Sequence, residues 1–145
     1  MNNVRFFRAI IATAVLAVTA PAFAETGKLV ITLSGCKSDK GSVMLVVYDS
    51  KDTFTKTELA RANAKVSVSS GTARAEIADL PAGTYTVSAY HDENGNGKLD
   101  TNFLGMPKES YGFSNDARGK AGPPEWEAAA FSFSGGTQTI SIRLK

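Results

Sequence analysis

An antiparallel Greek-key β-sandwich of about seven strands is the fold class that this sequence predicts, on three observations. Short runs alternate apolar and polar residues with a period of two. Turn-forming pairs separate those runs at near-regular intervals. A helical start signal occurs at only one short segment, Thr55 to Ala62, where Thr55 and Glu58 have capping-box spacing.

The strands follow in order. Lys28 to Leu33 sets Leu29, Ile31 and Leu33 on one face. Val43 to Tyr48 is apolar on both faces, as a central strand requires. Ala64 to Ser69 and Thr72 to Ile77 flank Ser70-Gly71, which reads as a hairpin, with Ala73, Ala75 and Ile77 turned inward. Asp79 to Gly83 reads as a turn, because Pro81 and Gly83 supply a bend. Thr84 to His91 then places Tyr85, Val87 and Ala89 on one face and Thr86, Ser88 and Tyr90 on the other. Ala129 to Phe133 and Thr139 to Leu144 complete the set around Gly135-Gly136.

Ahead of these strands, Arg5 and Arg8 precede an apolar run from Ala9 to Ala20. Pro21 breaks that run, and Ala22-Phe23-Ala24 offers small residues at the −3 and −1 positions of a cut. This is the pattern of a secretory signal peptide over residues 1–24. A helix of that apolar length rises only about 18 Å, too short for a bilayer core of about 30 Å. We therefore expect one mature β-sandwich domain over residues 25–145, periplasmic or secreted, with no membrane span after cleavage. The 145-residue chain has 16 Lys plus Arg; without Arg5 and Arg8 the remaining 14 balance the 14 acids. A neutral chain lacks the basic footprint of a nucleic-acid binder. One Cys excludes an intrachain disulfide, and one His excludes a two-His metal site within the chain. Cys36 is then either a buried small apolar side chain or a thiol that pairs between chains.

Asp92 to Glu127 shows no convincing strand. A structureless stretch of that length usually signals function, an ordering ligand or disorder. Its Leu99, Phe103, Leu104, Met106, Tyr111, Phe113 and Trp126 argue against disorder, since such side chains normally want burial. The stretch opens as Asp92-Glu-Asn-Gly-Asn-Gly-Lys-Leu-Asp100. Side-chain oxygens fall at relative positions 1, 3, 5 and 9, and Gly97 falls at position 6, where a calcium loop turns sharply. The candidate metal ligands are Asp92, Asn94, Asn96, the Lys98 carbonyl and Asp100. Position 12 is Phe103, which has no carboxylate, so Glu109 is the nearest later acid that can fold back. With so few charged ligands the expected affinity is that of extracellular modules, roughly 10⁻⁴ to 10⁻³ M. Asn94-Gly95 and Asn96-Gly97 also suit a plain hairpin turn without metal, but such a turn does not need Asp92 and Asp100 at matching offsets.

The run from Tyr90 to Asn115 resembles the signature of the bacterial domain of unknown function 2141. Gly122-Pro123-Pro124, Phe131, Gly41-Ser-Val, Leu80-Pro-Ala-Gly-Thr-Tyr85 and the strand from Ile140 to Leu144 fit the same pattern. Ser110 and Trp126 depart from it, standing where Gly and Phe are common. The resemblance implies an exported protein with a prealbumin-type or collagen-adhesin B-type sandwich, and it implies no activity.

Three functions compete. The first is a calcium-stabilised, non-catalytic binding or structural module, with an envelope or extracellular partner of unidentified kind. The second is a carbohydrate- or peptide-binding module using Tyr111, Phe113 and Trp126, which serve otherwise as a small core for the loop. The last is a hydrolase of the transthyretin-related type. That chemistry needs several His and Arg residues at one site, and the chain has one His; His91 as a general base would need a nucleophile such as Ser88 or Ser110, and neither sits in a nucleophile-elbow pattern. A structural, hydrogen-bonded His91 is the plainer reading.

Overall fold

The computed structural model describes residues 25–145; the signal segment read over residues 1–24 lies outside them. Eight strands form: β1 (Thr26–Ser34), β2 (Ser42–Tyr48), β3 (Ala62–Ser67), β4 (Thr72–Pro81), β5 (Gly83–Asp92), β6 (Tyr111–Phe113), β7 (Phe131–Phe133) and β8 (Gly136–Arg143). They build an all-β sandwich. One sheet runs β4-β1-β8. The other runs β3-β2-β5-β6, with β7 added to the start of β5.

The alternating patterns hold. Leu29, Ile31 and Leu33 of β1, Val43, Leu45 and Val47 of β2, and Ala73, Ala75 and Ile77 of β4 are buried between the sheets with Tyr85, Val87 and Ala89 of β5. β2 lies between β3 and β5; its inner face enters the core, and Met44 and Val46 on its outer face line a groove described below. The strands and the core cluster lie wholly within residues 26–144. Among the described residues no helix is long and apolar enough to cross a membrane.

Five expectations are corrected. The two segments around Ser70-Gly71 are not a hairpin. Ser69 and Thr72 exchange both backbone bonds across a two-residue turn, and Ser70 and Gly71 have φ of 53° and 70°. That is type I′ chemistry, as the dipeptide predicts. The strands then part, because β3 pairs with β2 and β4 with β1. The bend read over Asp79–Gly83 is likewise a corner between sheets. β4 runs through Pro81, and only Ala82 separates it from β5. The sandwich is not wholly antiparallel, since β8 runs parallel to β1. The helix read from Thr55 is one 3₁₀ turn, Thr57–Leu59, and its cap position, Lys56, makes no side-chain capping bond. Finally, β7 begins only at Phe131, because Trp126–Ala129 forms a helical turn, α1.

Candidate functional site

The long connection after β5 does contain a strand. β6 pairs with Ser88–Tyr90 of β5, so Tyr111 and Phe113 share the outer face with Ser88 and Tyr90. Its signal was the aromatic alternation Tyr-Gly-Phe, a β-prone pattern too short to stand on its own.

The loop from Asp92 to Asp100 is organised largely by side-chain oxygens. Asp92 ends β5 and is wholly buried, at 0 % exposure. Its Oδ1 accepts the backbone N–H groups of Gly95 (2.9 Å) and Asn96 (3.0 Å), and its Oδ2 accepts that of Gly97 (2.9 Å). One carboxylate thus caps three successive donors and wraps the loop around itself. Gly97 sits at φ +76°, the left-handed turn that its place in the spacing requires. The Asn94 and Asn96 amides, on alternate residues, both reach Asp100, at 2.6 and 2.9 Å. Their Oδ1 atoms accept the N–H groups of Asn96 and Lys98. Glu109, the later acid the sequence offers in place of position 12, folds back: its carboxylate accepts the N–H groups of Glu93 (3.1 Å) and Asp100 (3.0 Å).

Asp92, Asn94, Asn96, Asp100 and Glu109 therefore belong to one connected region, and Lys98 joins it through its backbone. Among the described residues no three His, Cys, Asp or Glu side chains surround a common point as a metal cage. An ion here would need the Asn94 and Asn96 amide oxygens and the Lys98 carbonyl beside the acids. That is the mixed oxygen set a hard cation accepts.

His91 is buried beside this region. Its Nε2 donates to the Lys40 carbonyl at 2.7 Å, and its backbone N–H donates to Ser110 O at 2.8 Å. The ring thus ties the loop before β2 to the end of β5. Cys36 is half-buried against the core. Burial, and then the charge of Asp39, push its thiol up.

The three aromatic candidates separate. Phe113 is buried, and Trp126 and Tyr111 are half-buried. Phe54 gathers Tyr48, Phe113 and Trp126 around itself, with ring centroids 5.7, 6.0 and 5.8 Å away, all edge-on. They form a small second core on the outer face of the larger sheet. Next to it runs a groove of about 590 Å³, lined by Met44, Val46, Tyr90, Leu99, Tyr111 and Phe113 among others. Gly97 and Lys98 form part of its wall, so the loop and the groove share a boundary. Tyr90 lies on that boundary. Its phenol is pushed up first by burial, then by the charges of Asp92 and Glu109. Sequence reasoning missed Met44, Val46 and Tyr90 as groove residues, because their grouping depends on three strands meeting.

A family model described as an uncharacterized protein conserved in bacteria, DUF2141, matches residues 31–141. No curated protein and no solved structure matches the chain significantly. The matched segment runs from the middle of β1 nearly to the end of β8 and takes in both sheets, the 92–100 loop and the outer groove; the chain belongs to the DUF2141 family.

Proposed function

We propose that this protein is an exported, non-catalytic β-sandwich module whose 92–100 loop holds one structural calcium ion. A single observation carries the reading: a wholly buried Asp92 carboxylate caps three loop N–H groups, while Asn94, Asn96 and Asp100 converge above it. Such a carboxylate is already oriented, so little ordering entropy opposes an ion. Asn94 and Asn96 would turn their amide oxygens inward, releasing Asp100 from its two N–H donors. Glu109 would contribute from the far side. The ion would supply the charge that this oxygen-rich loop otherwise balances with amide hydrogens alone.

The test is a thermal melt with and without calcium, beside calorimetric titration, on the chain from Glu25 and on its Asp100→Ala variant. Asp100 is chosen because it caps no buried N–H group. With free calcium about 100-fold above Kd, linkage stabilises the fold by about 2.7 kcal/mol, several degrees in a domain of this size. A rise confined to the unaltered protein supports the reading. No rise and no heat in either protein reduces the loop to a hydrogen-bonded turn.

The outer groove favours a second reading, a carbohydrate- or peptide-binding module. Tyr111 and Phe113 line that groove, whereas Trp126 packs edge-on against Phe54. Screening glycans and short peptides with the unaltered protein and Tyr111→Ala separates the readings, since a groove ligand depends on Tyr111 and the calcium response does not.

A further inference from the structure

Two Asn-Gly steps follow one another in the 92–100 loop. Of the five asparagines from Glu25 onward, only Asn94 and Asn96 precede glycine. That dipeptide has a chemistry of its own. The glycine backbone nitrogen attacks the asparagine side-chain carbonyl carbon and a succinimide ring closes. The side-chain amide leaves as ammonia, taking the proton that the attacking nitrogen gives up. Water then opens the ring at either carbonyl, which leaves aspartate or isoaspartate. One water enters, one ammonia leaves, and nothing is oxidised or reduced. The attack lies within one stretch of chain, and a glycine at the attacking position brings no side chain to hinder it.

We propose that Asn94 and Asn96 are deamidation sites locked by Asp92 and Asp100, so that their conversion is a one-way record of loop opening. Crowding does not hold the reaction back. Both asparagines are exposed, and a Cβ added at Gly95 or Gly97 would meet nothing within 4 Å. Hydrogen bonds hold it instead. The attacking nitrogens, Gly95 N and Gly97 N, both donate to the buried Asp92 carboxylate at 2.9 Å. Each side-chain amide is fixed at both ends. Asn94 Oδ1 accepts Asn96 N–H (3.1 Å), and its Nδ2 donates to Asp100 Oδ2 (2.6 Å). Asn96 Oδ1 accepts Lys98 N–H (2.9 Å), and its Nδ2 donates to Asp100 Oδ1 (2.9 Å). An amide held in this way has to swing free before its carbonyl carbon reaches the next nitrogen. Asp100 is the shared bolt, with one amide on each oxygen. Once either amide is converted, the loop cannot close as before. Aspartate sets a carboxylate where Asp100 had an N–H donor, and like charges at that range repel. Isoaspartate lengthens the backbone by one carbon and shifts the turn. The proposal does not rest on the calcium reading, because every bond it uses lies within the chain.

The test is ageing of the chain from Glu25, which contains both sheets and the core, at neutral pH in EDTA. Peptide mapping by mass spectrometry follows each asparagine, in buffer and in urea. In buffer, Asn94 and Asn96 lose their amides roughly tenfold more slowly than in urea, or slower still. Asp100→Ala speeds the loss of both in buffer by about tenfold, the worth of one hydrogen bond to a charged group. Asp100→Asn, which keeps one acceptor oxygen, falls between, and it carries the comparison if Asp100→Ala does not fold. Asn102 and Asn115, neither followed by glycine, keep their amides throughout. Asn94→Asp/Asn96→Asp, which stands for the aged protein, speeds hydrogen exchange at the Gly95 and Gly97 amides. Equal rates in buffer and urea overturn the proposal, as do equal rates in the unaltered protein and both Asp100 variants. Faster loss in buffer than in urea also overturns it, and makes Asp92 a base that promotes the attack. Unchanged exchange in the doubly substituted protein overturns the one-way record.

Discussion

The connection between β5 and β6 has two halves built on opposite rules. Residues 92–100 are polar, yet their anchor, Asp92, is wholly buried. Residues 101–107 carry three large apolar side chains, yet these face outward. Ordinary segregation of polar and apolar groups explains neither half. What the two share is a short side chain that accepts several backbone N–H groups: Asp92 takes three, and Asn102 takes two. Local hydrogen bonding therefore shapes this connection, and hydrophobic burial is left to the sandwich and to the aromatic cluster around Phe54. The apolar tip is exposed because its turn is closed without it.

The sharpest way to break the polar half is at its root. Gly41 lies against the end of β5 at φ +68°, and an added Cβ would stand 1.9 Å from the Asp92 carbonyl oxygen. Both the clash and the left-handed backbone oppose Gly41→Ala, which should cost about 4 kcal/mol, read as a lowered urea midpoint. Asp92→Ala comes next. It leaves the N–H groups of Gly95, Asn96 and Gly97 without their acceptor, at a cost of about 3 kcal/mol. Asp92→Asn should cost roughly half as much, since one oxygen remains. Equal losses for the two variants would show that charge, rather than acceptor count, governs the loop.

A smaller effect comes from an exposed counterpart. Asp39 accepts the N–H groups of Gly71 (2.8 Å) and Ser70 (3.0 Å), tying the loop before β2 to the β3–β4 corner. Those two donors, Gly71 first, hold its carboxyl below the usual range. The sign follows from a depressed folded-state value. The contribution is fully present above the unfolded carboxyl pKa and is lost as the pH falls through the lower folded one. Asp39→Asn should therefore reduce stability near neutrality and converge with the unaltered protein in acid, which denaturation at a series of pH values checks. Smallest of all is the effect on stability of Phe103→Ser/Leu104→Ser/Met106→Ser at the exposed tip of residues 101–107, expected to stay within about 0.5 kcal/mol because those side chains lie outside the core cluster. A larger loss would mean that the tip packs in solution and would weaken the contrast between the halves.

Much of this was legible in the residues. Alternation placed the inward faces of β1, β4 and β5, and the double-sided apolar run marked β2 as central, because strand geometry sends successive side chains to opposite faces. Spacing alone grouped Asp92, Asn94, Asn96 and Asp100, and it picked out Glu109. Other features were not legible. Phe103, Leu104 and Met106 read as residues that want burial, like Phe113, and nothing local distinguishes them. Phe113 packs against Phe54, which Trp126 also meets, whereas Phe103, Leu104 and Met106 stand exposed.

The sequence by itself determined which residues pair off as inside and outside, which dipeptides turn, and which oxygens share a loop. These depend on φ, ψ and side-chain period, which act within a few residues. Only the tertiary structure decided that Ser70-Gly71 and Ala82 are corners between sheets, that β8 runs parallel to β1, that Asp92 is buried, and that Met44, Tyr90 and Tyr111 line one groove. Each of these depends on which distant strand lies alongside. A period of two names the face of a strand, but not the partner that covers it.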